Sequence, residues 1–323
     1  MHQLSWLEAI VIGALQGVSE LFPVSSLGHS VLLPAVIGGS WAQDLDVGAP
    51  ESPYLAFIVG LHVATALALI VFFWRDWVRI VRGLVTSIVR REVVNSEQRL
   101  AWLLVLGTIP VGIVGLLLEH TFRTVLSRPV PTAIFLVVNG LVLLGAEALR
   151  RRAVDAAPVA RVGASTGHGE VDPAARTVVM PAAGEATSGG EASDRRLAGM
   201  PVLRAVGIGA AQIAALCPGI SRSGVTMATG LLRGLSHEDA ARFSFLLSTP
   251  VILAAGVLKL GDLAGPLGDG VRPQILVGSV LSFVGAYLSV RFLTRYFENR
   301  SLRPFGIYCI AVGVACLIWF GIR

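Results

Sequence analysis

The chain has 323 residues, 54% of them hydrophobic and 15% charged, and a mean hydropathy of +0.72; an ordinary soluble fold, which could not hide so much apolar surface, is excluded. A formal net charge of +5 would suit nucleic acid, but the arginines cluster between apolar segments instead of forming one basic face, so no nucleic-acid partner is expected. Cys217, Cys309 and Cys316 form no even, regularly spaced set; they read as packing residues, with no disulfide framework or zinc site.

In chain order, ten apolar segments are predicted, at about 6–22, 26–38, 54–74, 100–118, 133–149, 203–217, 224–235, 243–260, 274–293 and 305–321. Most are long enough at about 1.5 Å per residue to cross a hydrocarbon core of about 30 Å, and they are continuous, not alternating, which implies helices and not a barrel. The first begins at Trp6 with no basic leader and reads as retained structure, not a removed signal. The second and seventh are too short to span. Each follows a polar break with proline, serine and glycine, so each pairs with its predecessor as a re-entrant hairpin, over 6–38 and over 203–235.

Between the halves, residues 153–200 are rich in Ala, Gly, Ser, Thr and charge without a sustained apolar period, and are predicted to be a disordered cytoplasmic linker. The flanking parts, 1–152 and 201–323, resemble one another. Gly13-Ala14-Leu15-Gln16 recurs as Gly209-Ala210-Ala211-Gln212, and with the same offset Ser25 falls on Ser221 and Gly28 on Gly224. Charge then sets the topology. The loop holding Arg75, Arg79, Arg82, Arg90, Arg91 and Arg99 lies inside, whereas the one with Asp44, Asp46 and Glu51, which lacks Lys and Arg, lies outside. Arg150, Arg151 and Arg152, and also Arg295, Arg300 and Arg303, land on the inner side only if each half supplies one hairpin and three crossings. The expected fold is therefore an all-α polytopic membrane protein of two inverted-topology halves, each a re-entrant hairpin plus three transmembrane helices.

Ionisable groups at membrane depth are costly and mark functional candidates. The first hairpin supplies Gln16, Glu20, Ser25, Ser26, Gly28 and His29, with Gln16 and Glu20 on one helix face and Pro23 ending that helix. The second supplies Pro218-Gly219-Ile220-Ser221-Arg222-Ser223-Gly224-Val225-Thr226. Free amides at a helix start, hydroxyls and a guanidinium fork describe a phosphate cradle, though not a Walker loop, since its Gly-Lys-Ser/Thr ending is absent. Close packing is the ordinary role of any single Ser or Gly in a membrane helix, and Glu20 has a structural alternative as the ion-pair partner of Arg222. Packing alone does not require acid, imidazole, hydroxyls and guanidinium in two related breaks. His62 and His120, each alone in or at the end of an apolar segment, read as packing residues, and Trp74 and Trp77 beside Arg75 and Arg79 as an interfacial anchor.

The run from Gln16 to His29 and that from Pro218 to Thr226 resemble the two signature motifs of the undecaprenyl-diphosphate phosphatase family, the bacitracin-resistance type of bacterial lipid phosphatase. Leu61-His62, Gly107-Thr108-Ile109-Pro110 and Arg242-Phe243-Ser244-Phe245 extend the similarity over nearly the whole chain except the linker. The resemblance implies hydrolysis of the lipid diphosphate to the monophosphate carrier and inorganic phosphate, at a site open to the outer face of the bacterial plasma membrane. It implies catalytic roles for Glu20, Ser26, His29 and Arg222, and a divalent cation, Mg²⁺ or Ca²⁺, on Glu20; Gln16 stands where many members carry a second acid. Substrate contacts are expected from Gln16, Ser25, Gly28, Ser221, Ser223, Gly224 and Thr226. Expected partners are a polyprenyl diphosphate lipid, the bilayer and a second copy in a homodimer.

The attacking group stays open at this stage between a water activated by Glu20 and a transient phosphoryl acceptor, Ser26 or His29. A transporter or flippase shares the plan of broken helices and a polar midplane, but anion binding alone needs only the arginine and amides, without Glu20 and His29. The topology is directly testable. Single cysteines placed at Asp44 and in the Arg75–Arg99 loop, on a background without native cysteines, should react with an impermeant thiol reagent in intact cells only at the former; the opposite pattern reverses the orientation.

Overall fold

The computed structural model describes residues 4–45, 53–156, 189–258 and 270–322. Among the described residues there are helices and no strands. In chain order they are α1 (Trp6–Ser19), α2 (Ser26–Ile37), α3 (Ser40–Asp44), α4 (Pro53–Phe72), α5 (Trp74–Arg90), α6 (Ser96–Leu126), α7 (Pro129–Ala156), α8 (Gly189–Ala198), α9 (Val202–Ala210), α10 (Arg222–Leu232), α11 (His237–Leu258), α12 (Arg272–Asn299) and α13 (Arg303–Ile322), with a 3₁₀ turn over Ala211–Leu216. Local chemistry sets several starts. Ser5 and Glu8 form a reciprocal capping box on α1, and Asn95 and Gln98 do the same on α6.

Five of these helices, α6, α7, α11, α12 and α13, are long and apolar enough to cross a membrane, and up to seven spans result if each of two bent pairs counts as one. Their outward faces carry Leu116, Leu117, Leu276 and Ile307, all exposed, which is the surface expected of helices solvated by lipid. The chain is thus a multi-pass, all-helical membrane protein. α1 runs along α12 and α7 along α13, while α2 and α10, the second arms of the two hairpins, both pack against α7. Close approach of α1 and α12 is required at Gly17, where a Cβ would lie 2.4 Å from the Ser282 carbonyl oxygen.

Two sequence expectations need correction. The arginine-rich stretch after the third apolar segment is not a loop; α5 turns by 88° from α4 and continues as a helix. It is amphipathic, with Ile80, Gly83 and Ser87 buried against the protein and Trp74, Val78, Val81 and Val85 exposed, a pattern that suits a helix lying at the bilayer surface. Arg75 sits 5.3 Å from the centre of the Trp74 ring.

The second correction concerns the linker, of which residues 157–188 lie outside the described set. Residues 153–156 continue α7, and Gly189–Ala198 forms α8, whose Ser193, Leu197 and Ala198 are buried. Charge pairs hold it there: Asp194 bridges Arg242 at 2.8 Å and Arg79 at 3.2 Å, Glu191 pairs with Arg79, and Arg196 forks onto Asp239 at 2.8 and 2.7 Å. This network ties α5, α8 and α11 together. Glu147 on α7 extends it, accepting from His237 at the start of α11 (2.6 Å) and from the Leu302 amide before α13 (2.7 Å). The ends carrying the three basic clusters are thereby joined at one end of the bundle.

These pairs make residues 189–198 a structural part of the fold. Replacing 157–188 by a short Gly/Ser segment should leave thermal unfolding in detergent unchanged. Asp194→Ala removes one carboxylate shared by Arg79 and Arg242 while Asp76 stays on both, and should destabilise by about 1.5–3 kcal/mol, the range for hydrogen bonds to charged groups; an unaltered Tm in the alanine variant contradicts that reading.

Candidate active site

The first break starts where α1 ends at Ser19, because Pro23 four residues on has no amide proton to extend the ladder. The chain then turns at Ser25, whose φ of 69° is unusual for a residue with a Cβ. Its surroundings hold it there. Ser25 Oγ accepts from the amides of Gly28 and Gly219, both at 3.2 Å, and its carbonyl accepts from Nδ1 of His29 at 2.8 Å. Ser25 thus caps α2 while gripping the other hairpin.

The second break repeats this local chemistry. Ser221 caps α10 by accepting from the Gly224 amide at 3.1 Å, as Ser25 caps α2 through Gly28. Gly219 has φ of +106°, and a Cβ on it would fall 2.4 Å from the Thr132 carbonyl oxygen of α7, so both backbone conformation and space demand glycine. The two breaks are in direct contact. Ser221 and Ser223 hydroxyls donate to the Phe22 carbonyl at 3.4 and 3.2 Å. Asn139 of α7, fully buried, donates to the Pro23 carbonyl at 3.1 Å and accepts from the Ser221 amide at 3.0 Å.

This clamp brings Glu20 and Arg222, 202 positions apart, into a salt bridge. Glu20 is 7% exposed. Its Oε2 also accepts from the Ser26 hydroxyl and, at 2.9 Å, from the Gln16 amide. The remaining oxygen of that amide, Gln16 Oε1, is buried with no partner. A fifth group completes the cluster: Nε2 of His62 on α4 lies 3.5 Å from Glu20 Oε2. Its Nδ1 is committed to the Ile58 carbonyl at 2.8 Å, so Nε2 is the nitrogen turned toward the carboxylate. The reading of His62 as a lone packing residue is therefore overturned; the side chain of His120, read the same way, lies outside the described residues.

The structure separates the expected site residues into three sets. Glu20, Ser26, Arg222 and Gln16 converge, with His62. Ser25, Gly28, Ser221, Ser223 and Gly224 make the hairpin-to-hairpin seam beneath them. His29 stands apart from the Glu20 cluster, its Nε2 bonded at 2.9 Å to the hydroxyl of Tyr308 on α13, and the Thr226 hydroxyl turns back onto the Arg222 carbonyl at 2.7 Å. Because Nδ1 of His29 donates to a carbonyl, Nε2 accepts from Tyr308. His62, Asn139 and Tyr308 are the residues that sequence reasoning missed. The Leu61-His62 similarity was the signal available for the first; Asn139 and Tyr308 stand in apolar runs with nothing to single them out.

Chemically, the cluster offers a hydroxyl hydrogen-bonded to a carboxylate, beside a guanidinium suited to a phosphate. The family profile described as bacitracin resistance protein BacA matches residues 9–315. An undecaprenyl-diphosphatase of Mycolicibacterium paratuberculosis is 61% identical over 320 residues, covering 99% of each chain. Undecaprenyl-diphosphatase 1 of Frankia casuarinae is 54% identical over 370 residues, covering 100% of each.

The clamp makes its own prediction. Asn139→Leu leaves the Ser221 amide buried without a partner and the Pro23 carbonyl with only the weak Cys309 thiol donor at 3.7 Å, at about 1–3 kcal/mol for the amide alone, and should lower the thermal unfolding temperature in detergent clearly. An unchanged temperature would mean that water or a rearranged side chain serves both groups.

Proposed function

The chain belongs to the bacitracin resistance protein BacA family, and from that membership and the site we infer that it is an undecaprenyl-diphosphatase, hydrolysing undecaprenyl diphosphate to undecaprenyl phosphate and inorganic phosphate. In doing so it recycles the lipid carrier of cell-wall synthesis and confers bacitracin resistance. The observation that carries the mechanism is the convergence of Ser26, Glu20 and Arg222 across the two hairpins.

In the mechanism we propose, Ser26 Oγ attacks the terminal phosphorus and its proton passes to Glu20 Oε2, to which the hydroxyl is already bonded. The bond from that phosphorus to the bridging oxygen breaks, and the lipid monophosphate leaves with the oxygen. Water then attacks the phosphoserine. Glu20 returns its proton to Ser26 Oγ as the phosphorus–oxygen bond opens, and the released phosphate keeps both protons of the water. Arg222 spreads its fork over the transferred group, whose charge is what phosphoryl transfer must chiefly neutralise. His62 borders the Glu20 carboxylate, with Nε2 3.5 Å from Oε2. His29, one turn beyond Ser26, has its Nδ1–H committed to Ser25 and its Nε2 accepting from Tyr308; it acts by positioning, and the proton balance of these steps needs no donor from it.

A divalent cation, Mg²⁺ or Ca²⁺, fits the donor set as an ion shared with the substrate. The Glu20 carboxylate and the unpartnered Gln16 Oε1 are hard oxygen donors that would hold it together with diphosphate oxygens, and when bound it would supply further charge neutralisation. We propose that the site opens toward the outer face of the plasma membrane, as the family resemblance implies.

Phosphate release from a long-chain prenyl diphosphate by the purified, detergent-solubilised protein tests the function. Ser26→Ala should lower kcat by roughly 10³-fold or more if the serine accepts the phosphoryl group, against about 1–2 kcal/mol for a positioning hydroxyl. Glu20→Gln should also act mainly on kcat. Arg222→Lys keeps the charge but loses the fork, at about 2–4 kcal/mol of transition-state stabilisation. His62→Ala should cost about tenfold in kcat with KM little changed. A Ser26→Ala enzyme with near wild-type turnover would leave water as the nucleophile.

A further inference from the structure

The cytoplasm-assigned end of α12 carries a groove of about 520 Å³ that belongs to no part of the hairpin site. Arg291, Arg295 and Arg300 line it, with Phe292, Tyr296 and Asn299. Among the described residues none of the three guanidiniums pairs with a carboxylate, and Glu298 on the same helix makes no ion pair with them. Three other arginines at this end are used structurally instead. Arg79, Arg196 and Arg242 are each neutralised by two or more acidic side chains.

The positive-inside rule accounts for arginines at this level of the bundle but not for their convergence. Arg291 and Arg295 are one helical turn apart, where like charges disfavour one another by a few tenths of a kcal/mol, and Arg300 adds a third charge just past the helix end. An anion in the groove removes that repulsion. The walls specify what kind of anion. Phe292, half exposed, stacks on Phe22 at 5.9 Å between ring centroids, and Tyr296 follows at 5.6 Å from Phe292. A free phosphate has no use for these rings, whereas a lipid places its phosphate at the interface and its acyl chains alongside such an apolar wall. Arginine, with its planar fork and weak hydration, suits phosphate at a lipid boundary better than lysine does.

We propose that this groove is a binding site for the phosphate headgroup of an anionic phospholipid. Through Phe292 the bound lipid rests on Phe22, the residue whose carbonyl receives the Ser221 and Ser223 hydroxyls. It therefore abuts the first break without entering the site.

Native mass spectrometry of the delipidated, detergent-solubilised full chain, titrated separately with phosphatidylglycerol, phosphatidylcholine and inorganic phosphate, tests it. Phosphatidylglycerol should bind more tightly than phosphatidylcholine, and Arg291→Gln combined with Arg295→Gln should weaken it by roughly tenfold, with prenyl diphosphate hydrolysis in detergent retained. The pair Arg291→Lys and Arg295→Lys should keep part of the affinity. Equal binding of the two lipids, equal retention by the glutamine variant, or displacement of the lipid by inorganic phosphate at matching concentration overturns the proposal. Should the double glutamine variant not fold, Arg300→Gln alone, at the exposed end of the groove, decides by the same comparison.

Discussion

The pairing of Glu20 with Arg222 is the interaction on which the rest depends. It joins one charge from each hairpin in a site nearly closed to solvent, where neither charge would be tolerable alone. An ion pair of this kind is weak evidence for stability, since two apolar side chains could fill the space at less cost. Its retention makes sense as preparation. With Arg222 on one oxygen and Gln16 and Ser26 on the other, Glu20 is held in a fixed orientation, and Ser26 is held on Glu20. A diphosphate entering this cluster finds donors already oriented, so little rearrangement accompanies the development of charge on the transferred group.

Such preorganisation needs a rigid base, and the seam between the hairpins provides it. Both breaks end helices inside the protein and so release backbone groups that lipid cannot satisfy. Each is answered by the other hairpin or by α7: Ser25 takes the Gly219 amide, the Phe22 carbonyl takes two serine hydroxyls, and Asn139 serves one group from each side. Satisfying the broken backbone and bringing Glu20, Ser26 and Arg222 together are therefore the same structural act. The unusual φ of Ser25 is the local cost of that alignment, borne because four hydrogen bonds converge on the residue.

What the sequence made legible follows from this division. Glu20, Ser26 and Arg222 could be read because their significance is local: polar groups and helix breakers interrupt apolar runs, and the repeat of Ser25 in Ser221 marks matching caps. The contribution of His62 could not be read locally. Whether a single histidine in an apolar helix meets lipid, a neighbour or a carboxylate depends on which face of α4 packs toward α1, and no period in its uniformly apolar sequence says so. Tyr308 and Asn139 were hidden for the same reason. α5 and α8 were missed differently, because their polarity resembles that of loops; what makes α8 helical and docked is the set of ion pairs to Arg79, Arg242 and Asp239, which exists only once α5 and α11 are in place.

The placement of charge also separates two tasks that arginine performs in this protein. At the interior-facing network every guanidinium has a carboxylate, and the result is mechanical: α5, α8 and α11 are bound to each other near the ends of the spans. Within the site Arg222 has one carboxylate and several unused donors, which is the condition for receiving a phosphate without giving up its anchor. Along the groove on α12 the guanidiniums have none. That gradation, from fully paired to half paired to unpaired, follows the distance of each arginine from anions supplied by the protein itself, and it is what distinguishes a side chain that holds the fold from one that waits for a ligand.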